Sequence, residues 1–246
     1  MALYEEFIRT GNRLFKLRGY LPPLLFFLIL AGLPLFNYPG KTQKENLTWE
    51  VVCASIAFLG LLIRFFTIGF TPAGTSGTNR GKQVAESLNT TGFYSIVRHP
   101  LYLGNFLMWF GLFLYFRTWW LSLTIVLIFW LYYERIMFAE EEFLRGKFGR
   151  QFTEWASHTR SFFPTFSQWR KPELSFSLRK AIRNEYQSAY SLVVSFSLVN
   201  LMIDSYINRR LTLGKYWRTL LIVGGILFLV LRTIKKKTNL LKQEGR

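Results

Sequence analysis

Residues 101–138 read LYLGNFLMWFGLFLYFRTWWLSLTIVLIFWLYYERIMF, and this stretch decides the fold. A transmembrane helix needs about 20 mostly apolar residues, so the stretch is long enough for almost two of them. Arg117 lies near its middle, beside Trp119 and Trp120. Basic and aromatic side chains are common where the lipid core meets water. The stretch therefore predicts a tight helical hairpin whose tip lies at that interface.

The composition also points to a lipid environment. Hydrophobic residues make up 50% of the 246 residues, and the chain contains 25 Phe and 8 Trp. The formal net charge is +17. Because the basic residues lie between apolar stretches, the charge favours attraction to anionic lipid over binding of nucleic acid. The single cysteine, Cys53, excludes a disulfide framework and a cysteine-based metal site, and no metal ligand set is predicted.

Four further apolar stretches are long enough to be membrane spans: residues 20–38, 49–70, 189–207 and 217–234. Together with the hairpin they predict an all-α, polytopic integral membrane protein with about six transmembrane helices. Most of the 31 Lys and Arg residues then fall on the side that holds both termini. By the positive-inside rule both termini are cytoplasmic.

Polar segments surround the hairpin and precede the first span. Residues 71–99 and 139–188 are both expected on the cytoplasmic side, at the two inner ends of the hairpin. Residues 4–20 alternate apolar and basic side chains, which is typical of an amphipathic helix that lies on a membrane surface. We expect this helix to be an anchor.

Two sequence clusters flank the hairpin. Residues 92–105 read GFYSIVRHPLYLGN, and residues 140–149 read EEEFLRGKFG. A hairpin brings its two ends together on one side of the membrane. We therefore expect one site at the cytoplasmic interface that contains Arg98, His99, Tyr102, Glu140 and Glu141.

The residue types in these clusters suit a ligand with mixed chemistry. Adjacent carboxylates suit an ammonium group, and Arg or His suits a carboxylate. The rings of Tyr94, Tyr102 and Phe148 suit a purine, and also a sulfonium through cation–π attraction. S-adenosylmethionine carries all of these groups. Gly104 would let the backbone approach a ligand closely, and Pro100 fits the first turn of a helix.

A simpler interpretation of each cluster remains open. Residues 140–142 could be a solvated helix end paired with Arg145 and Lys147, and the RHP triplet could mark the start of an interfacial helix.

Taken together, the clusters resemble a known signature. The pattern GxYxxVRHPxYxG followed, after a hairpin, by EExxLxxxFG is similar to that of the isoprenylcysteine carboxyl methyltransferases. Their relatives include phospholipid N-methyltransferases and bacterial lipid A phosphate methyltransferases. The resemblance covers about residues 71–164. It implies a helical membrane methyltransferase that takes S-adenosylmethionine from the cytosol and a lipid acceptor from the bilayer.

The resemblance and the ligand chemistry assign roles to individual residues. The predicted cofactor-binding residues are Tyr94, His99, Pro100, Tyr102, Gly104, Glu141 and Phe148. Arg98 and Glu140 are expected to support the site or touch the acceptor. Arg64 joins them as a catalytic candidate, because an intramembrane charge is often functional. It could bind an acceptor phosphate or pair with Glu140, or simply extend to the interface.

The chain departs from the family pattern after residue 149. Phe152 and Trp155 stand where the family often has tyrosines, although Arg160 and Pro164 follow in the expected order. The missing hydroxyls leave open how Arg160 is held.

The acceptor is predicted to be anionic. A phosphate or carboxylate needs no general base, whereas an amine must first lose a proton, and His99 is already assigned to the cofactor. Residues 75–80, TSGTNR, could hold a phosphate head group, or could be a solvated loop. The surrounding stretch resembles the lipid A phosphate methyltransferase branch, which favours a bacterial inner membrane.

The chain divides into a predicted methyltransferase core, residues 1–164, and a second part, residues 165–246. The second part is expected to be a basic cytoplasmic linker plus two additional transmembrane helices. The alternative functions are a phospholipid amine N-methyltransferase or an isoprenylcysteine carboxyl methyltransferase, and more remotely a membrane NADPH-dependent reductase or a transporter. The sequence makes no prediction of the oligomeric state.

Overall fold

The computed structural model describes residues 2–20, 27–30, 32–35, 43–75, 83–209, 211–243 and 245. Within these residues the secondary structure is helical, apart from an isolated β-bridge between Gly92 and Arg170. The predicted all-α fold is therefore confirmed. The predicted span over residues 20–38 lies mostly outside the described residues.

The helices are α1 (Leu3–Leu17), α2 (Gln43–Phe70), α3 (Phe93–Ile96), α4 (Pro100–Leu114), α5 (Trp119–Phe148), α6 (Arg150–His158), α7 (Leu178–Asn208) and α8 (Lys215–Lys237). Four segments are long and apolar enough to cross a membrane: Leu47–Phe70 in α2, all of α5, Leu178–Ile207 in α7, and all of α8. Helix α4 is apolar but has only 15 residues. The predicted polytopic membrane protein is confirmed.

Two helices extend by ten residues or more beyond the predicted spans. Helix α5 continues ten residues past 138, because its polar end consists mainly of good helix formers, and it stops at Gly149, whose φ of 50° suits glycine. Helix α7 begins at Leu178 instead of residue 189. The Ser177 side chain accepts a hydrogen bond from the Lys180 backbone N–H and so caps this earlier start.

The helices pack in a continuous series. Helix α5 lies between α1 and α4, α4 packs against α2, α2 against α7, and α7 against α8. Helices α4 and α5 form the predicted hairpin, and residues 115–118 make its tip. Arg117 adopts a φ of 52° at the tip, and its guanidinium lies 5.0 Å from the ring of Trp49. Helix α2 is thus central, since it contacts both the hairpin and α7.

Small residues bring α2 and α4 into close contact. An added Cβ on Gly104 would lie 2.7 Å from the Gly60 carbonyl oxygen. One on Gly111 would lie 2.6 Å from the carbonyl oxygen of Cys53, which is fully buried. Membrane helices use such residues because dispersion contacts between closely packed backbones hold them together where the hydrophobic effect cannot. The close approach that Gly104 permits is therefore to a neighbouring helix.

Helix α1 packs along the polar end of α5. Tyr132 donates a hydrogen bond to the Leu14 carbonyl at 2.9 Å, and the rings of Phe7 and Phe138 lie 5.6 Å apart. The Tyr4 hydroxyl donates to the Glu142 carboxylate. The amphipathic helix expected near the N-terminus thus buries one face against α5.

The last part of α8 lies at the end of the bundle where α2 ends and α7 begins. Ser177, at the start of α7, donates its backbone N–H to Gly69 near the end of α2. The Lys235 ammonium of α8 donates to the Arg183 carbonyl of α7 at 2.9 Å. We call this end, which also holds both sequence clusters, the motif end. That it faces the cytoplasm stays a prediction.

Replacement of Gly111 by Ala should destabilise the bundle. The new methyl group would collide with the α2 backbone, at a cost of about 1–3 kcal/mol in the free energy of unfolding. Gly146→Ala is the matched control, since a Cβ there meets nothing within 4 Å, and the better helix former should stabilise by about 0.5–1 kcal/mol. SDS-induced unfolding in dodecyl maltoside micelles measures both. Equal effects of the two variants would contradict close packing of α2 on α4.

Candidate functional site

The Glu141 carboxylate joins the two sequence clusters. Its Oε1 accepts hydrogen bonds from Arg98 Nε and from His99 Nε2, each at 2.9 Å. The His99 side chain is 5% exposed, and those of Arg98 and Glu141 are 18% exposed. Charge-assisted hydrogen bonds that are shielded from water are strong. Glu141 therefore holds the start of α4 against the end of α5.

Glu140 points to a different part of the site. Tyr102 donates its hydroxyl to Glu140 Oε2 at 2.8 Å, and the same oxygen lies 3.8 Å from His99 Nδ1. The rings of His99 and Tyr102 stack with centroids 5.5 Å apart. The Glu140 side chain remains 32% exposed, so this carboxylate has capacity to accept from a ligand.

Arg98 also binds the chain that follows α5. Its Nη1 donates to the carbonyl oxygens of Ala156 at 2.8 Å and Thr159 at 2.6 Å. Its backbone N–H donates to the Arg160 carbonyl at 2.8 Å. Arg160 thus contributes its backbone to this contact, while the residue is exposed. One guanidinium therefore connects α5, α6 and the start of α4.

The two residues that replace family tyrosines have packing roles. Phe152 is fully buried. The Trp155 indole N–H donates to the Tyr94 carbonyl at 3.1 Å. Trp155 thus connects α6 to α3, and Phe152 packs against the Trp155 ring, without the hydroxyls that the family pattern often supplies.

A cavity of about 130 Å³ lies beside these residues, and we call it cavity A. Its walls include Phe143, Leu144 and Trp155, and six residues before α3: Gln83, Val84, Ala85, Ser87, Leu88 and Asn89. Predicted site residues also line it: Arg64, Tyr94, Arg98, His99, Pro100, Tyr102 and Glu140. Pro100 occupies the first turn of α4, as predicted.

Three predicted cofactor-binding residues do not line cavity A. Gly104 faces Gly60 and Arg64 of α2. Glu141 is bound to Arg98 and His99, behind the cavity wall. Phe148 lies about two turns beyond Glu141, near the Lys147 ammonium.

The Tyr94 phenol cannot serve as a base near neutral pH. Burial is the main cause that raises its pKa above the usual value, and the charge of Glu140 adds to the shift. Because the neutral phenol is favoured, Tyr94 can offer a ring face or an O–H donor to a ligand.

Arg64 pairs with Glu185 and not with Glu140, which was one of the three alternatives that the sequence left open. Its Nη2 lies 2.6 Å from Glu185 Oε1, its Nε lies 2.9 Å from Oε2, and its Nη1 donates to Asn105 at 2.7 Å. Glu185 is not predictable as a partner from hydropathy, because residues 139–188 form a polar segment that is expected outside the membrane. The early start of α7 brings this carboxylate to α2.

Metal binding is not suggested by the residues that the structure describes. Among them, no group of three or more His, Cys, Asp or Glu side chains could hold a metal ion.

Replacement of Arg98 by Lys should loosen the site. Lysine lacks the planar fork that reaches Glu141 and two carbonyls together, so we expect the free energy of unfolding to fall by about 2 kcal/mol. Arg150→Lys is the control, because its pair with Glu154 is 91% and 63% exposed and should contribute about 0.5 kcal/mol or less. Unfolding in SDS measures both, and a loss no larger than that of the control would argue against a connecting role for Arg98.

The site lies within the part of the chain that matches a known protein family. Residues 50–151 match the family model described as phospholipid methyltransferase. The match begins in α2, earlier than the predicted residue 71, and ends at the start of α6, before residue 164. It includes both sequence clusters and the hairpin between them.

Two curated proteins are similar to parts of the chain. The cobalt-zinc-cadmium resistance protein CzcN of Cupriavidus metallidurans is 37% identical over 85 residues, which cover 35% of this chain and 39% of that protein. The nickel-cobalt-cadmium resistance protein NccN of Alcaligenes xylosoxydans xylosoxydans is 37% identical over 132 residues, 53% of this chain and 59% of that protein. The chain thus spans about half the length of the curated relatives that it matches. No solved structure matches it significantly. Residues 50–151 carry the sequence pattern of the phospholipid methyltransferase family, which confirms the family resemblance predicted from the two clusters.

Proposed function

We propose that this chain is a membrane methyltransferase that uses S-adenosylmethionine and acts on an anionic lipid head group. The observation that carries the proposal is the cluster in which Arg98 and His99 share Glu141 while Glu140 and Tyr102 face cavity A. The cluster lies at one end of a helical membrane bundle and within the family-matched segment.

The donors and acceptors around cavity A match the charged and aromatic groups of the cofactor, of which a volume of about 130 Å³ would take in a part. Glu140 can accept from an ammonium. Among the described residues, Arg98 uses Nε and Nη1 for its bonds to Glu141 and the carbonyls, so its Nη2 group could bind a carboxylate. The faces of Tyr94 and Trp155 suit a purine or a sulfonium. When bound, S-adenosylmethionine would supply a methyl group on a positively charged sulfur. The acceptor atom would bond to the methyl carbon, and the electron pair of the broken carbon–sulfur bond would stay on the sulfur.

The geometry favours an exchange of the roles first expected for the two carboxylates. Glu140 would bind the cofactor directly, because it lines cavity A. Glu141 would be a positioning residue, because Arg98 and His99 already engage its Oε1.

An anionic acceptor agrees with the described side chains around cavity A, because none of them is left uncommitted as a general base. An amine acceptor would need a base to remove its proton. The Tyr94 phenol stays protonated, and the other two candidates, His99 and the Glu140 carboxylate, are assigned here to holding Glu141 and to the cofactor ammonium. A phosphate or carboxylate oxygen attacks without losing a proton and becomes a neutral ester, or a less anionic one. Residues 76–80, predicted to hold such a group together with Thr75, lie outside the described residues.

The names of the two relatives are consistent with this chemistry. Both are called resistance proteins against divalent metals. Divalent cations accumulate at negatively charged membrane surfaces. Methylation of an anionic head group would remove a negative charge and so weaken that attraction.

Replacement of Glu140 by Gln should weaken cofactor binding. The variant loses the charge that pairs with the ligand ammonium, so we expect the Kd of S-adenosylhomocysteine to rise about tenfold. Isothermal titration calorimetry on the purified full chain measures this. Glu154→Gln, an exposed carboxylate, is the control and should bind as the original chain does. Tight binding of NADPH with none of S-adenosylhomocysteine would instead support the reductase alternative.

Acceptor choice can be measured with labelled S-adenosylmethionine and three lipids. We expect transfer to a lipid with a free phosphate, such as lipid A or phosphatidic acid, because no deprotonation is required. Phosphatidylethanolamine tests the amine alternative, and a prenylcysteine tests the carboxyl alternative. Turnover on phosphatidylethanolamine alone would exclude the anionic acceptor while leaving methyl transfer intact.

A further inference from the structure

A second cavity, of about 900 Å³, lies between α2, α4 and α7, and we call it cavity B. Arg64 and Asn105 line both cavities, so these two side chains form a shared wall. The Arg64 guanidinium is held there by Glu185 and Asn105. The side chains of Arg64 and Asn105 therefore lie between a molecule in cavity B and one in cavity A.

The motif end of cavity B is positively charged. Among its described lining residues the basic side chains are Arg64, Lys180, Arg183 and Lys235, and the single carboxylate is Glu185, which Arg64 neutralises. Arg183 and Lys235 thus have no carboxylate beside them among the described lining residues. A cavity with this balance attracts an anion.

Two of these cations differ in what they can offer. Lys180 is buried, and its ammonium donates to the carbonyls of Thr71 and Pro72, so it supplies charge and not a free donor. The Arg183 guanidinium has no hydrogen-bond acceptor among the described residues. Because a guanidinium matches phosphate geometry, Arg183 is suited to bind the anion directly.

Deeper in cavity B, one wall is polar and the facing wall is apolar. A polar stripe on α7 lines it with residues three or four positions apart, which places them on one helix face: Asn184, Gln187, Ser188, Ser191 and Ser195. The facing wall on α4 is apolar, with Met108, Trp109 and Leu112. A cavity that is cationic at the motif end and apolar on one side along its depth matches an amphiphile with an anionic head.

We propose that cavity B is the acceptor site and binds an anionic lipid with its head group at Arg183 and Lys235. This inference rests on the proposed methyl transfer. The apolar chain would lie along Met108 and Leu112, and the head group would reach the wall shared with cavity A. Helix α7 lies outside the family-matched residues 50–151, so the acceptor would be recognised by a part of the chain that the match does not include.

Binding of dioctanoyl phosphatidic acid to the full chain in dodecyl maltoside tests the proposal. Arg183→Gln and Lys235→Gln should each raise its Kd about tenfold, because each removes a charge that faces the head group. The matched controls Arg179→Gln and Lys236→Gln remove exposed charges on the same two helices and should bind as the original chain does. Equal losses in a variant and its control would overturn the proposal.

Two further ligands establish what cavity B recognises. Dioctanoyl phosphatidylcholine should bind at least about tenfold more weakly, since its head group has no net charge. Glycerol 3-phosphate should also bind weakly, since it lacks the chains that fill the apolar wall. Equal affinity for either ligand would overturn an anionic lipid as the occupant.

S-adenosylhomocysteine binding separates this inference from the proposed function. All four variants should bind it as the original chain does, because none of the changed residues lines cavity A. A chain that binds phosphatidic acid through Arg183 but never binds S-adenosylhomocysteine would refute methyl transfer and retain the lipid site. The reverse pattern would refute the lipid site alone.

Discussion

The arrangement of the site depends on one carboxylate oxygen that two donors share. Glu141 Oε1 binds both Arg98 and His99, and this fixes the start of α4 against the end of α5. Successive residues on a helix point about 100° apart. Once Glu141 faces Arg98, Glu140 must turn elsewhere, and it meets Tyr102 at the wall of cavity A. The two adjacent carboxylates thus have different surroundings because the helix has a fixed pitch.

The second constraint is the ion pair of Arg64 and Glu185. A charge inside a membrane bundle is costly unless a partner satisfies it. Glu185 engages Arg64 through two nitrogens, and Asn105 accepts from a third. This pair binds α2 to α7 and so connects the family-matched segment to the later helices. The predicted division at residue 164 stays a prediction, but a polar contact inside the bundle crosses it.

Local sequence patterns were sufficient for the four long apolar helices, the hairpin and the meeting of the two clusters. Span length depends on bilayer thickness, and hairpin formation depends on an apolar stretch with an interfacial centre, so neither requires knowledge of distant residues. The meeting of Arg98 with Glu141 follows from the same topology. The early start of α7 was missed because its first turns are polar, and hydropathy does not detect a helix there.

What the amino-acid sequence determined alone was therefore the class of protein, the hairpin with Arg117 at its tip, and the set of side chains gathered at the motif end. Only the tertiary structure decided which carboxylate faces cavity A, that Gly104 packs against α2, and that Arg64 pairs with Glu185. The physical reason is that helical periodicity fixes directions within one helix. Which helices become neighbours, at what rotation and height, depends on contacts between residues far apart in the chain, such as Arg64 with Glu185 and Lys180 with Thr71.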